Sequence, residues 1–175
     1  MQRLRYSPEE EQLLMTQLWS PNLKDDPEAF VLFVFPWGQP NTPLERFKGP
    51  RTWQRRALRR IAEFIRVNKG KLSNDELIDA MRRAVSSGRG VGKSALVSWL
   101  ILWMLTTRIG SSVIVSANSE NQLRTVTWGE LTKWATMAIN SHWWEPSATK
   151  LTPAQWLTEL VERDLKKGTR YWSAE

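Results

Sequence analysis

The sequence predicts an α/β fold in which a parallel sheet carries helices on its faces. A glycine-rich loop at residues 88–94 opens a long apolar helical stretch, and a β-branched run follows at 112–117. A second helical pattern comes after that run. A strand, glycine loop, helix, strand and helix in this order are typical of a parallel α/β sheet. The N-terminal part of the chain instead predicts helices.

Composition excludes several classes of site. The 175 residues contain no cysteine and one histidine, His142, which excludes disulfide scaffolds, thiol nucleophiles and His-containing triads. Glu9, Glu10 and Glu11 stand where the apolar stretch of a signal peptide would lie, so we expect an intracellular protein. The longest apolar stretch, residues 95–105, is far shorter than the roughly 20 residues that span a bilayer.

Tryptophan is unusually frequent in the chain, and basic residues are concentrated in one part of it. The chain has eleven tryptophans, and at this density we expect most of them in the core rather than stacking on bases. Residues 46–93 hold 14 Lys and Arg against 4 Asp and Glu, whereas the remaining residues hold 11 against 14. The basic excess is therefore local, and it favours a polyanion such as nucleic acid or nucleotide phosphates as partner.

The first 50 residues predict a helical segment that ends in a wrapped loop. Ser7 caps a helix with Pro8 at its first position and acids in its first turn. Residues 27–35 suit a helix or a strand, and the proline-rich residues 36–50 break regular structure.

A basic amphipathic helix is predicted from Arg51 to about Asn68. Its arginines form like-charged pairs four residues apart, which cost stability. They indicate either a solvated face or a phosphate-facing surface on which a ligand relieves the repulsion. These pairs are Arg55 with Arg59 and Arg56 with Arg60.

Short-range signals predict the other elements. A capping box begins a helix at 73–83, and Ala84, Val85 and Ser86 form a short candidate strand. Helices are expected at 95–107, at 120–139 and from Thr152–Pro153 to about residue 166, with strands at 112–117 and from about 171. We expect residues 142–144 to form a packing plug at a helix end.

The glycine loop suits the phosphates of a nucleoside triphosphate. Glycines let successive backbone N–H groups converge on the β and γ phosphates, and the helix N-terminus adds its positive dipole end. Lys93 supplies an ammonium for these phosphates, and the Ser94 hydroxyl is a ligand for Mg²⁺. The predicted binding residues are Gly88, Arg89, Gly90, Val91, Gly92, Lys93 and Ser94.

Two features of the loop are unusual. The usual spacing places its first glycine at position 87, where this chain has Ser87. Arg89 lies within the loop, and its guanidinium is either a solvated surface group or an arginine finger in cis that acts with Lys93 in catalysis.

Three motifs in order resemble the ATPase domain of tailed-phage and prophage terminase large subunits. They are residues 50–54 (Pro-Arg-Thr-Trp-Gln), residues 88–94 with their internal arginine, and residues 113–123. Residues 35–38 (Phe-Pro-Trp-Gly) are similar to the same group. The resemblance implies a P-loop NTPase fold, ATP and Mg²⁺ as cofactors, and recognition of adenine by Gln54. It also implies that residues 116–122 couple the nucleotide to DNA.

The family further implies an oligomeric motor that moves double-stranded DNA into a procapsid in the host cytoplasm. Its partners are the portal and a small terminase subunit, and it has a separate nuclease domain. We found no strand ending in Asp-Glu after Lys93, which such an ATPase needs to hold Mg²⁺ and polarise water. The sequence therefore predicts an N-terminal helical segment at 1–50 and an incomplete P-loop ATPase domain at 51–175.

This reading predicts that the chain binds ATP weakly and does not turn it over. Two alternatives remain open. The first is part of a helicase-like DNA-dependent ATPase, and the second is a non-enzymatic module whose glycine loop binds a nucleic-acid backbone phosphate. In either case the arginine face at 55–60, with Arg82 and Arg83, is expected to follow DNA phosphates.

Overall fold

The computed structural model describes residues 6–71, 73, 84, 86, 90–117 and 127–175. This part of the chain is a mixed α/β structure with short strands. Its α-helices are α1 (Pro8–Leu18), α2 (Pro21–Lys24), α3 (Pro27–Val34), α4 (Thr52–Asn68), α5 (Lys93–Thr107), α6 (Gly129–Met137) and α7 (Gln155–Asp164). A 3₁₀ helix spans Ser141–Trp143, and the strands are β1 (Ser112–Val113), β2 (Trp144–Pro146), β3 (Leu151–Pro153) and β4 (Ser173–Ala174).

The sheet is mixed rather than parallel, in the order β1-β4-β3-β2. Only β1 and β4 pair in parallel among the described residues, whereas β4 with β3 and β3 with β2 are antiparallel. The predicted strand at 112–117 is shorter than expected. Its ladder ends with a bond from the Val115 N–H to the Glu175 carbonyl, and the Ile114 side chain is exposed. These strands therefore form a small mixed sheet, and the P-loop fold stays a prediction.

The N-terminal helices follow their capping signals. Ser7 accepts a hydrogen bond from the Glu10 N–H, and the Glu10 carboxylate accepts one from the Ser7 N–H, so the capping box at α1 is complete. Asp26 caps α3 by accepting from the Ala29 N–H, which makes residues 27–34 a helix rather than a strand. Both helices contribute buried side chains to the same hydrophobic core as α5.

Helix α5 is buried on nearly all sides, as its apolar sequence predicts. The helix predicted from Thr152–Pro153 begins two residues later, because residues 151–153 form β3 and pair with β2. The predicted helix at 120–139 is described only in its second half, as α6. None of the described helices is long and apolar enough to cross a membrane.

Most tryptophans lie in the core, which confirms the expectation from their number. Trp156 is the exposed exception, at 37%. The packing plug is also confirmed, since Trp143 and Trp144 are buried. The buried tryptophans are Trp99, Trp103, Trp128, Trp134, Trp143, Trp144 and Trp172.

Several predictions fall outside the described residues. They include the helix at 73–83, apart from its first residue, and the short strand at 84–86, apart from Ala84 and Ser86. The motif residues 118–123 and the loop residues Gly88 and Arg89 also lie outside. These stay predictions.

Candidate functional site

The beginning of α4 holds the glycine loop through three consecutive carbonyl groups. The Arg51 guanidinium lies 3.4 Å from the Gly90 oxygen. The Trp53 indole donates to the Val91 oxygen at 3.1 Å, and the Gln54 amide donates to the Gly92 oxygen at 2.8 Å. Arg51, Trp53 and Gln54, called here the loop clamp, are separated from these carbonyls by 38 or 39 residues of sequence.

The loop clamp determines where the loop presents its N–H groups. In a trans peptide the N–H points away from the preceding carbonyl. Because the carbonyls of residues 90–92 face α4, the N–H groups of residues 91–93 face away from it. Gly90 and Gly92 have φ values of +72° and +92°, a conformation that glycine adopts without strain. The result is a row of backbone donors leading into the N-terminus of α5, an arrangement that suits an anion.

Gln54 is buried, at 3% exposure, and both ends of its amide are in use. Its Oε1 accepts from the Arg51 N–H at 2.8 Å, and its Nε2 donates to the Gly92 carbonyl. One amide hydrogen and one oxygen lone pair are left for any further partner. Recognition of adenine by Gln54 therefore stays a prediction, and the contact that the structure shows is with the loop.

Lys93 and Ser94 occupy the first turn of α5, directly after the clamped carbonyls. Both side chains are half-buried, and the Ser94 carbonyl accepts a hydrogen bond from the Ser98 hydroxyl. The residues therefore fit a phosphate group: a row of N–H donors, a helix N-terminus and an ammonium lie in sequence. The described residues contain no group of three acidic or His side chains that could hold a metal ion.

The basic face of α4 is partly neutralised within the chain. Glu28 of α3 accepts hydrogen bonds from Arg55 at 2.6 Å and from Arg59 at 2.5 Å. This buried carboxylate relieves the repulsion between the two arginines, which we had expected either solvent or a ligand to relieve. Burial alone would raise the pKa of Glu28, but the hydrogen bonds and charges of Arg59 and Arg55 outweigh it and lower that pKa.

The other arginine pair on α4 is differently placed. Among the described residues, Arg56 and Arg60 have no carboxylate within ion-pair distance. They line a shallow cavity of about 410 Å³ together with Thr52, Arg55, Arg59 and Glu63. Two of the four predicted phosphate-facing arginines therefore stay available to an external anion.

We expect Glu28→Gln to lower the free energy of unfolding by roughly 1–2 kcal/mol. This is less than the cost of breaking a fully buried ion pair, because both arginines are partly exposed. The pKa of Glu28 is lower in the folded state, so its stabilisation is complete above the ordinary carboxyl pKa. It is lost as pH falls through the folded-state pKa. Urea unfolding at neutral and acidic pH measures the difference, which should shrink on acidification.

Glu159→Gln is the matched control for this change. Glu159 lies exposed on α7 and accepts a hydrogen bond from the neutral Gln155 amide, which a glutamine also accepts. We expect little change in its unfolding free energy at either pH. An equal loss in both variants, or a loss in Glu28→Gln that does not depend on pH, would contradict the role given to Glu28.

Sequence reasoning missed Glu28 and the contact role of Trp53. Glu28 lies in an apolar stretch of the sequence, and the two arginines that pair with it are 27 and 31 residues further along the chain. The available signal was a lone carboxylate in the first turn of an apolar helix, which has to find a cationic partner when it is buried.

Comparisons of the chain with protein-family models, with curated proteins and with solved structures found no match. The functional argument therefore depends on the site itself.

Proposed function

We propose that this chain binds the phosphates of ATP through residues 88–94, as the N-terminal part of a terminase-like DNA-packaging ATPase. The observation that supports the proposal is the loop clamp. Two motifs that resemble terminase motifs, at residues 50–54 and 88–94, meet in space through hydrogen bonds to three consecutive carbonyls.

The clamp gives the loop a defined shape before any ligand arrives. Preorganised donors bind an anion more tightly, because less conformational entropy is lost on binding. In this proposal, the N–H groups of residues 91–93 and the Lys93 ammonium contact phosphate oxygens, and the Ser94 hydroxyl ligates Mg²⁺. Arg89 completes the set of phosphate-binding residues in the loop. Gln54 binds adenine with its remaining amide hydrogen and oxygen lone pair. The chain binds ATP without turning it over, and double-stranded DNA, the portal and the small subunit are the partners of the motor.

Lys93→Ala is expected to weaken ATP binding by about tenfold or more, because a charge-assisted contact with phosphate is worth roughly 1.5–3 kcal/mol. Calorimetric titration with ATP and Mg²⁺ measures the affinity. Lys133→Ala, on the exposed side of α6, removes the same charge away from the loop and should leave binding unchanged.

Equal affinity of the two lysine variants for ATP would refute phosphate binding by the loop. DNA binding that ATP and Mg²⁺ do not alter would instead favour the non-enzymatic module. A procapsid packaging assay separates a packaging motor from a helicase-like ATPase. The available arginines, Arg56 and Arg60, suit DNA phosphates under each of these readings.

A further inference from the structure

A groove of about 980 Å³ lies between α1 and α7, away from the glycine loop. Helix α1 lines it with Glu11, Met15 and Trp19, which are four residues apart and so share one helix face. Helix α7 lines it with Trp156 and Leu160, at the same spacing. Two helix faces with apolar side chains therefore border an open groove, which is the shape that accepts a third helix.

The end of the groove is held rigid by an aromatic and carboxylate cluster. Glu11 accepts hydrogen bonds from His142 Nε2, at 2.6 Å, and from the Trp143 indole. His142 stacks on Trp156, with an angle of 3° between the rings and 5.9 Å between their centroids. Tyr6 also packs against His142, with 5.0 Å between centroids. The groove is thus formed before any partner binds.

The two helices that border the groove are acidic, whereas the whole chain has a net positive charge. Helices α1 and α7 carry six acidic residues and one basic residue, Arg163, whereas the chain has a formal net charge of +7. Two of the acids, Glu11 and Asp164, line the groove itself, and Asp164 also forms an ion pair with Arg163. An occupant is therefore favoured if it brings apolar side chains and positive charge.

We propose that this groove binds a basic amphipathic helix of a partner protein. The acids repel nucleic acid and anionic lipid surfaces, which excludes the polyanions that the rest of the chain favours. A second copy of this chain is a poor occupant. Its basic helix α4 buries Leu58, Ile61 and Ile65 and exposes Val67 near its end, so it presents no apolar face along its length.

The test uses a fluorescein-labelled peptide about 15 residues long, roughly four helical turns, with leucines on one face and lysines on the other. Fluorescence anisotropy measures its binding to the full chain. We expect a version with glutamate in place of lysine to bind at least about tenfold more weakly, because its charges meet Glu11 and Asp164. Trp19 and Trp156 indole N–H signals should shift in the NMR spectrum of the complex.

Two matched double variants locate the binding. Gln12→Arg with Thr16→Arg places two cations on the exposed wall of the groove and should weaken binding of the lysine peptide about tenfold. Gln17→Arg with Thr136→Arg makes the same changes at exposed positions outside the groove and should leave binding unchanged. The threonines match closely, since each hydroxyl donates to the carbonyl four residues earlier in its helix. Circular dichroism confirms that both variants are folded.

Three results would overturn the proposal. The first is equal affinity for the lysine and glutamate peptides, and the second is an equal loss in the two double variants. The third is self-association of the chain in sedimentation velocity that only the groove variant abolishes, which would show that a second copy covers the groove. None of these readouts involves ATP, so failure here is distinct from failure of the proposed nucleotide site.

Discussion

Gly92→Ala is expected to lower the stability of the chain and to remove most of its affinity for ATP. Gly92 has a φ of +92°, and an alanine in such a conformation costs roughly 1–2 kcal/mol. Its Cβ would also lie 2.7 Å from the Gln54 Nε2, closer than real Cβ contacts allow. Either the loop or the Gln54 amide must move, and both belong to the clamp.

Gly92→Ala should lower the affinity for ATP as well as the free energy of unfolding. A displaced Gln54 amide no longer holds the Gly92 carbonyl, so the Lys93 N–H loses its fixed direction. We expect a loss of at least about tenfold in affinity, comparable with the removal of one preorganised donor. Calorimetric titration with ATP and Mg²⁺ gives the affinity, and urea unfolding gives the stability.

Substitutions at two other glycines distinguish the effect of backbone strain from that of the contact with Gln54. Gly90→Ala meets the same kind of strain, at a φ of +72°, but its Cβ would have nothing within 4 Å. Gly129→Ala, in α6, has neither strain nor contact, and should be neutral or stabilising by up to about 1 kcal/mol. The expected order of damage is Gly92, then Gly90, then Gly129. Equal effects at Gly90 and Gly92 would show that the contact with Gln54 has no part in shaping the loop.

The helices could be predicted from the sequence because their signals are local. The box of Ser7 and Glu10 specifies the start of α1, and the apolar run after Lys93 specifies a buried α5. The sheet could not be predicted to the same degree. Residues 112–117 have the β-branched composition of a buried strand, but the length of a ladder depends on its partner, and β4 pairs with only two of these residues.

The candidate site was predictable in its residues but not in its contacts. The spacing of glycine, lysine and serine at 88–94 predicts a phosphate loop from the sequence alone. The resemblance gave Gln54 a role toward adenine, whereas the structure shows the same amide on the Gly92 carbonyl. A hydrogen bond across 38 residues has no periodic signal, so only the folded chain reveals it.

Trp99→Ala should be strongly destabilising, lowering the unfolding free energy by about 3–5 kcal/mol. Trp99 is 1% exposed on α5, the helix that follows the glycine loop. It packs edge-on against Trp134, at 5.0 Å between centroids, and against Trp37, at 5.9 Å. Phe35 completes this four-membered aromatic cluster. The cluster therefore ties residues 35–37 to the helix that follows the glycine loop.

Substituting phenylalanine for Trp99 and, separately, for Trp103 tests the contribution of the indole N–H more directly. Trp99 and Trp103 are both buried on α5. The Trp99 N–H has no partner among the described residues, whereas Trp103 donates to the Leu23 carbonyl at 2.9 Å. Trp103 also lies under the Arg108 guanidinium, at 4.3 Å. Trp99→Phe leaves a small cavity but removes an unpaired buried donor worth about 1–3 kcal/mol, so its net cost should stay within about 1 kcal/mol.

Trp103→Phe should cost more, roughly 2–4 kcal/mol, because it leaves the Leu23 carbonyl unpaired and weakens the contact with Arg108. Both substitutions remove the same atoms from the same helix, so the cavity contribution largely cancels in the comparison. Urea unfolding of the two variants measures the difference directly. Equal losses of unfolding free energy would mean that stability in this core depends on packing volume alone and not on the hydrogen-bond partner of the indole N–H.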